Sequence, residues 1–113
     1  MRIEIKGRNV TVGDELRQRI EKRFLKIAKQ VSELAEMEVE LWEEKNPSIP
    51  QSQVAEVTLR LKGVTLRARE RSDNMIRSIN EVADELTRQV KRHRDKRRRR
   101  RETAKSAQQP RAA

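Results

Sequence analysis

The sequence predicts an α+β fold in which two helices pack on one face of a four-stranded sheet, in the order β-α-β-β-β-α. Several short segments alternate apolar and polar residues, which is the period of a half-buried strand. Two longer segments repeat apolar residues in steps of three and four, which is the period of an amphipathic helix. At 113 residues the chain is long enough for one modest hydrophobic core. We therefore expect a single folded domain.

The first strand and the first helix are predicted from residues 2–30. Residues 2–6 alternate polar and apolar side chains, and a turn follows as far as Gly13. The helix is predicted over about residues 14–30, where an apolar stripe is formed by Leu16, Ile20, Phe24, Ile27 and Val31. At about 100° per residue, the cations fall on the opposite side of this helix. They are Arg19, Lys22, Lys26 and Lys29, with Arg23 on a flank.

The remaining strands are predicted between residues 35 and 69. In residues 35–41 apolar side chains alternate with glutamates, and Trp42 breaks the alternation. A loop is expected over residues 43–52, because its prolines interrupt regular structure. Residues 55–62 and 64–69 alternate again. Lys62-Gly63 between them fits a two-residue hairpin turn, since glycine tolerates positive φ.

The last helix is expected to begin with Ser72 or Asp73 as its N-cap. Its apolar stripe consists of Met75, Ile79, Val82 or Ala83, Leu86 and Val90. Beyond Val90 the stripe ends and the chain becomes strongly basic, with consecutive arginines at 97–101. We predict that residues 1–101 form the domain, including this basic extension of the last helix. Residues 102–113 are predicted to be a disordered polar tail.

The charge of the chain is concentrated at one end. The net charge is +10, and residues 88–101 hold ten Lys or Arg and one acid. Residues 1–87 contain sixteen basic and sixteen acidic residues, so the folded part is neutral in total. Beyond the first turn of the first helix, its cations stand against Glu21 alone, while acids gather over residues 33–44. This separation favours a polyanionic partner, because a merely solvated surface mixes its signs.

Several function classes lack the residues that they require. Cysteine is absent, which excludes disulfides and thiolate metal sites, and His93 is the only histidine. No apolar run approaches the roughly 18 residues that span a bilayer. The three glycines stand apart and form no phosphate-cradling loop. We expect a soluble cytoplasmic protein that is not an enzyme and has no metal, cofactor, membrane or small-molecule partner.

The aromatic content restricts the kind of RNA binding. Phe24 and Trp42 are the only aromatic residues, so stacking of splayed bases on exposed rings is not expected. Recognition of shape and phosphate remains, and arginine suits it through bidentate contacts. The predicted phosphate contacts are Lys22, Arg23, Lys26, Lys29, Arg88, Lys91, Arg92 and Lys96, with Arg60, Lys62, Arg67 and Arg69 as second-rank candidates. Contacts of that number predict that log affinity falls with log salt at a slope of roughly −5 to −7.

Several stretches of the chain together resemble one known family. Residues 86–90, Leu-Thr-Arg-Gln-Val, are similar to its Leu-x-Arg-Gln-apolar signature. Residues 64–70 resemble its fourth strand, and residues 7–10 and 17–29 its first turn and helix. The matching residues of the last helix are Met75, Ile79, Asn80, Glu81, Leu86, Arg88 and Gln89. Over roughly residues 1–96 the chain thus resembles the ribosome hibernation-promoting factor and ribosome-associated inhibitor A family, which has the same β-α-β-β-β-α order.

The resemblance implies a function. It implies binding to the small ribosomal subunit, with its 16S-type rRNA, in the channel that messenger and transfer RNA use near the decoding centre. A protein bound there blocks translation by occupancy and preserves idle ribosomes during stress. The long form of the family carries a second, dimer-forming domain. The resemblance therefore implies a short form or an N-terminal domain, for which homodimerisation is not expected.

Three positions depart from the family pattern: Asn74 replaces an acid, Ile76 an aromatic residue and Glu85 a lysine. Glu85 projects near Arg88 and Arg92, where its negative charge is expected to remove one RNA contact. Two other functions stay open. One is a general structured-RNA-binding or chaperone protein without ribosome preference. The other is a protein-interaction module that uses the acidic strand at residues 36–44.

Overall fold

The computed structural model describes residues 1–45 and 50–108, and side chains as far as residue 103. These residues form β1 (Arg2–Arg8), α1 (Asp14–Ala28), β2 (Glu36–Glu43), β3 (Gln53–Leu61), β4 (Val64–Ser72) and α2 (Met75–Gln108). The predicted order β-α-β-β-β-α is confirmed. Part of the predicted loop at residues 43–52, namely 46–49, lies outside the described residues.

The strands form one sheet with the order β1-β2-β3-β4. β1 and β2 run parallel, because α1 crosses over between them, whereas the β2–β3 and β3–β4 pairs are antiparallel. The β3–β4 hairpin closes on the pair Leu61 and Val64. Gly63 has a φ of +80°, as the predicted two-residue turn requires.

The hydrophobic core lies between the helices and one face of the sheet. α1 contributes Ile20, Phe24 and Ile27, all of them buried as the helical period predicts. From the strands and α2 the core receives Met37, Val39, Leu41, Ala55, Val57, Leu59, Ala68, Ile79, Val82, Ala83, Leu86 and Val90. Val90 is the last α2 residue in this core, so the helix continues beyond it without a buried stripe.

The N-cap of α2 is Asn74, and the expectation of Ser72 or Asp73 is wrong. Asn74 Oδ1 accepts hydrogen bonds from the backbone N–H groups of Ile76 (2.8 Å) and Arg77 (3.3 Å). The Ser72 hydroxyl is already engaged, because it lies 2.7 Å from the Ser78 hydroxyl and donates to the Asn74 carbonyl at 2.6 Å. Ser72 therefore fixes the turn, and Asn74 satisfies the helix terminus.

The two helices differ in length from their predicted bounds. α1 ends at Ala28, a little before the predicted residue 30. α2 runs to Gln108 and so enters the segment 102–113 that was predicted to be disordered. Residues 109–113 of that segment lie outside the described residues. The division of the chain at Arg101 stays a prediction.

Candidate RNA-binding surface

A basic groove lies between the two helices on the side away from the sheet. It has a volume of about 450 Å³ and is lined by Arg19, Lys22, Arg23, Lys26, Ile76, Ile79 and Asn80. We call it the helical groove. Its cations come from α1, and its apolar floor comes from Ile76, which is 39% exposed, and the buried Ile79. The groove therefore offers positive charge beside a small apolar surface.

The predicted contacts divide into two groups by their ion pairs. Among the residues that the structure describes, the lysines Lys22, Lys26, Lys29, Lys91 and Lys96 form no salt bridge. All of them are exposed to solvent. The arginines Arg23, Arg88 and Arg92 are each paired with a carboxylate. The lysines thus carry the charge that is available to an outside anion.

Arg23 connects the two helices. Its guanidinium binds the Asp84 carboxylate of α2, while its Nε is buried and has no hydrogen-bond partner. An arginine that spans the helices in this way is held in place and costs energy to redirect. Arg23 therefore shapes the helical groove, and its predicted role as a phosphate contact stays a prediction.

Glu85 is the centre of a cluster on the exposed side of α2. Its carboxylate accepts hydrogen bonds from Arg88 Nη2 at 2.8 Å, Gln89 Nε2 at 3.4 Å and Arg92 Nη2 at 3.5 Å. Hydrogen bonding from Arg88, and then from Gln89, holds the pKa of this carboxyl below its ordinary value, and the charges of the arginines add to the effect. The predicted proximity to Arg88 and Arg92 is therefore confirmed, and Glu85 partly neutralises both.

The open face of the sheet carries mixed charges that pair across strands. Glu38 lies between Lys6 Nζ at 3.2 Å and Arg60 Nη2 at 3.5 Å. Glu40 lies 2.7 Å from the Arg8 Nε. These ion pairs occupy two carboxylates of β2, whereas Glu36 and Glu43 at its two ends are exposed and form no salt bridge with a described residue. They also hold Glu38 and Glu40 on the sheet, whereas the helix lysines form no salt bridge with a described residue.

The hydrogen bond from Lys6 also sets the ionisation of Glu38. It lowers the pKa of the Glu38 carboxyl, helped by the positive charge of Lys6 and by a weaker hydrogen bond from Arg60. The same contact raises the pKa of the Lys6 ammonium group. Both shifts favour the charged forms, so this pair stays ionised near neutral pH.

The second-rank candidates differ in how they are engaged. Arg60 is paired with Glu38, and Arg69 Nε donates to Glu56 at 2.7 Å. Arg67 is exposed and forms no salt bridge with a described residue. Lys62 lies at the β3–β4 turn, well away from the helical groove, beside the end of α2. The sheet face is therefore less available to RNA than the helices are.

Trp42 lies on the open face of the sheet but is only 8% exposed. The guanidinium carbons of Arg8 and Arg69 lie 4.9 Å and 5.3 Å from its ring centroid, and its Nε1 donates to Glu44 at 3.1 Å. The ring is thus engaged by two cation–π contacts. Trp42 is therefore not available to stack on a base, in line with the expectation that bases do not stack on exposed rings here.

The structure brings together some predicted contacts and separates others. Lys22 and Lys26 line the helical groove, whereas Lys96 lines a different recess, beside the hairpin turn. The groove itself was not predicted, because the pairing of α1 with α2 is a tertiary property. A signal existed in the sequence: Ile76 is a large apolar residue that lies off the buried stripe. In the parts of the chain that the structure describes, no helix has the length and apolar character to cross a membrane.

The chain matches a family model over residues 3–98, described as Sigma 54 modulation protein / S30EA ribosomal protein. It is 31% identical over 97 residues to a ribosome hibernation promotion factor from Picosynechococcus sp., covering 85% of this chain and 50% of the relative. A relative of the same name from Staphylococcus aureus is 33% identical over 97 residues, covering 82% of this chain and 48% of the relative. The chain spans about half the length of these two relatives.

A shorter relative and two solved structures complete the comparison. A ribosome hibernation promoting factor from Acinetobacter guillouiae is 27% identical over 99 residues, covering 83% of this chain and 88% of the relative. The N-terminal domain of Protein Y from Thermus thermophilus superposes with a TM-score of 0.71 at 26% identity, over 82% of this chain and 99% of that one. A ribosomal subunit interface protein from Coxiella burnetii has a TM-score of 0.71 at 19% identity, over 84% and 99% of the two chains, and shares the fold.

Proposed function

Because the chain belongs to the Sigma 54 modulation protein / S30EA ribosomal protein family, we propose that it is a ribosome hibernation factor. It binds the small ribosomal subunit in the channel that messenger and transfer RNA use near the decoding centre. By occupying that channel it inhibits translation and preserves idle ribosomes. It acts in the cytoplasm, where ribosomes are, and it catalyses no reaction.

The observation that carries this proposal is the set of unpaired lysines on the helices. Lys22 and Lys26 line the helical groove, Lys29 is exposed at the C-cap of α1, and Lys91 is exposed on α2. None of them forms a salt bridge within the described part of the chain. Exposed and unpaired ammonium groups are available to phosphates and release counterions from RNA on binding. The aromatic rings are buried, so shape and phosphate carry the recognition.

The location is tested by co-sedimentation with purified small subunits. We expect the chain to pellet with vacant subunits and to remain in the supernatant when messenger and initiator transfer RNA are bound beforehand. Retained binding to the occupied subunits would contradict the proposed channel. An excess of bulk duplex RNA serves as competitor. A factor specific for the ribosome stays bound, whereas a general RNA-binding protein is removed.

The binding surface is tested with matched charge removals. Lys22→Gln with Lys26→Gln removes two cations of the helical groove. Arg2→Gln with Arg71→Gln removes two exposed cations of the sheet, neither of which forms a salt bridge with a described residue. The lysine variant is expected to weaken subunit binding by about tenfold or more and to reduce the salt slope by about two. Equal losses in the two variants would mean that the helices are not the contact surface.

A further inference from the structure

The last helix extends past the core as an arm, which we define as residues 91–108 of α2. Val90 is the last α2 residue in the hydrophobic core. Residues four, seven and eleven positions after it lie on the same helical face. These are Arg94, Arg97 and Arg101. The face of α2 that is apolar over the sheet thus becomes cationic where the sheet ends.

The arm and the β3–β4 turn together form a recess, which we call the arm notch. It has a volume of about 580 Å³ and is lined by Lys62, Gly63, Val64, His93, Lys96, Arg97 and Arg100. None of the described residues in this lining carries a carboxylate. Lys62, Lys96, Arg97 and Arg100 form no salt bridge with any residue that the structure describes. The notch is therefore a concave surface with several available cations from two separate elements.

The acids of the arm lie away from the notch. Asp95 and Glu102 are each about 140–160° around the helix from Arg97. Glu102 lies 3.6 Å from the Arg98 Nε on that outer side. The two sides of the arm therefore differ in charge. The side that faces the notch carries cations without salt bridges to described residues, and the outer side carries acids that partly neutralise its arginines. A segment that was merely solvated would not require this arrangement.

The chemistry of the notch favours the phosphate backbone of helical RNA. Closely placed guanidinium and ammonium groups bind phosphate oxygens, and arginine does so through two parallel hydrogen bonds. Phe24 and Trp42 are buried elsewhere, so the described lining offers unpaired bases one small ring, the half-buried His93, in place of the several exposed rings that stacking platforms use. Val64 is the only large apolar residue in the lining, so the notch has little to insert into a lipid surface.

We propose that the arm notch is a second RNA-binding site, which receives the backbone of an RNA duplex while the helical groove contacts another RNA segment. The proposal rests on the proposed function, since both sites act on the same ribosomal RNA. It is distinct in place, because the notch is built from the hairpin turn and the arm and shares no lining residue with the groove. The chain would then bridge two RNA segments.

The test compares two double variants of the full chain that lose equal charge on the same helix. Arg97→Gln with Arg100→Gln removes notch cations, and Arg98→Gln with Arg99→Gln removes neighbours outside the notch lining. Binding to a labelled RNA duplex of about 16 base pairs, near the span of a small duplex-binding domain, is measured across a salt series. The notch variant is expected to lose about ten- to a hundredfold in affinity at 0.1 M salt and about two units of salt slope. The outer variant is expected to stay within about threefold of the parent chain, because outer arginines act only through the general field.

Each other outcome has a defined meaning. Equal losses in the two double variants would overturn the notch and leave only a diffuse field from the arginines. Tighter binding to phosphatidylglycerol vesicles than to the duplex would also overturn it. If the parent chain sediments with small subunits but does not bind the duplex, the notch proposal fails and the proposed function stands. If the parent chain binds the duplex through the notch but not the subunits, the proposed function fails alone.

Discussion

A single carboxylate, Glu85, controls how much charge the middle of α2 presents. It accepts hydrogen bonds from Arg88 and Arg92, one helical turn apart, and so holds both guanidinium groups beside each other. A phosphate that binds these arginines must displace Glu85 or tolerate its charge nearby. Glu85 therefore acts as an internal competitor that orders the arginines and weakens their attraction for RNA.

Replacing Glu85 with glutamine is expected to tighten binding to small subunits by about two- to fivefold, since exposed ion pairs are worth about 0.2–1 kcal/mol. The salt slope is expected to steepen by about one, because both arginines then neutralise phosphates in full. Sedimentation or fluorescence titration across a salt series measures both quantities. Glu81→Gln is the matched control, since Glu81 pairs with Arg77 at 3.1 Å near the start of α2. The same gain in both variants would show that net charge alone is responsible.

Glu38 predicts a pH dependence of stability. Its pKa is lowered in the folded chain by the hydrogen bond from Lys6, so the ionised form stabilises the fold. This contribution is present above the pKa that glutamate has in the unfolded chain, and it is lost as pH falls through the lower, folded-state pKa. Thermal unfolding of the Glu38→Gln variant should therefore show a lower Tm than the parent at neutral pH and an equal Tm in strong acid. A difference in Tm that stays constant with pH would contradict this assignment, and Glu43→Gln on the same strand is the control.

At the scale of elements, the start of α2 shows how tertiary contacts decide between local alternatives. Ser72 and Asp73 were the expected caps, although Asn74 is an equally good N-cap residue. The choice depends on Ser78, whose hydroxyl donates to the Gln53 carbonyl at 2.7 Å and also lies against the Ser72 hydroxyl. This network holds Ser72 in the turn between β4 and α2. Asn74 is left as the residue that caps the helix.

Asn74→Ala is expected to lower the free energy of unfolding by about 1 kcal/mol, because two backbone N–H groups of α2 lose their acceptor. Asn74→Asp is expected to keep most of the stability, since a carboxylate accepts the same bonds and suits the positive end of the helix. Urea unfolding followed by circular dichroism measures these differences. Asp73→Ala is the control and is expected to change stability by less than about 0.5 kcal/mol. A larger loss from Asp73→Ala than from Asn74→Ala would show that Asp73, and not Asn74, caps the helix.

The elements themselves were predictable because each depends on a local period. Alternation predicted the strands, and the stripe from Met75 to Val90 predicted the buried face of α2. The helical groove and the Arg23–Asp84 contact were not predictable, because they depend on the position of α1 along α2, which no local pattern determines. The cations of α1 could be placed on its solvent side from the period alone. Arg19 pairs with Glu15 one turn away, but the partner of Arg23 is Asp84, which is 61 residues distant in the sequence.

At the scale of the whole molecule, the charges are sorted by layer. Carboxylates of the sheet, such as Glu38, Glu40 and Glu56, pair with cations of neighbouring strands. The lysines of the helices are left without partners in the described part of the chain, and the arm carries the rest of the positive charge beyond the core. The molecule is elongated, with extents of 71 × 29 × 18 Å. The arm contributes to this length, because α2 continues past Val90, its last described residue in the core, to Gln108.

The arm is expected to be the least stable helical part of the molecule and to gain order on binding RNA. Between Val90 and residue 103, the last whose side chain the structure describes, it buries no apolar side chain in the core, and its consecutive arginines repel one another. Local backbone hydrogen bonds and the Arg98–Glu102 pair are therefore the main support of the helix there. Hydrogen exchange should therefore show amides of residues 94–101 exchanging at least about a hundredfold faster than those of residues 79–90 in the unbound chain.

Adding small subunits or an RNA duplex should slow exchange in the arm, because phosphates relieve the repulsion between arginines. The Arg97→Gln with Arg100→Gln variant should lose this protection while Arg98→Gln with Arg99→Gln keeps it. An arm protected as strongly as the core before RNA is added would show instead that contacts with the β3–β4 turn are enough to hold it.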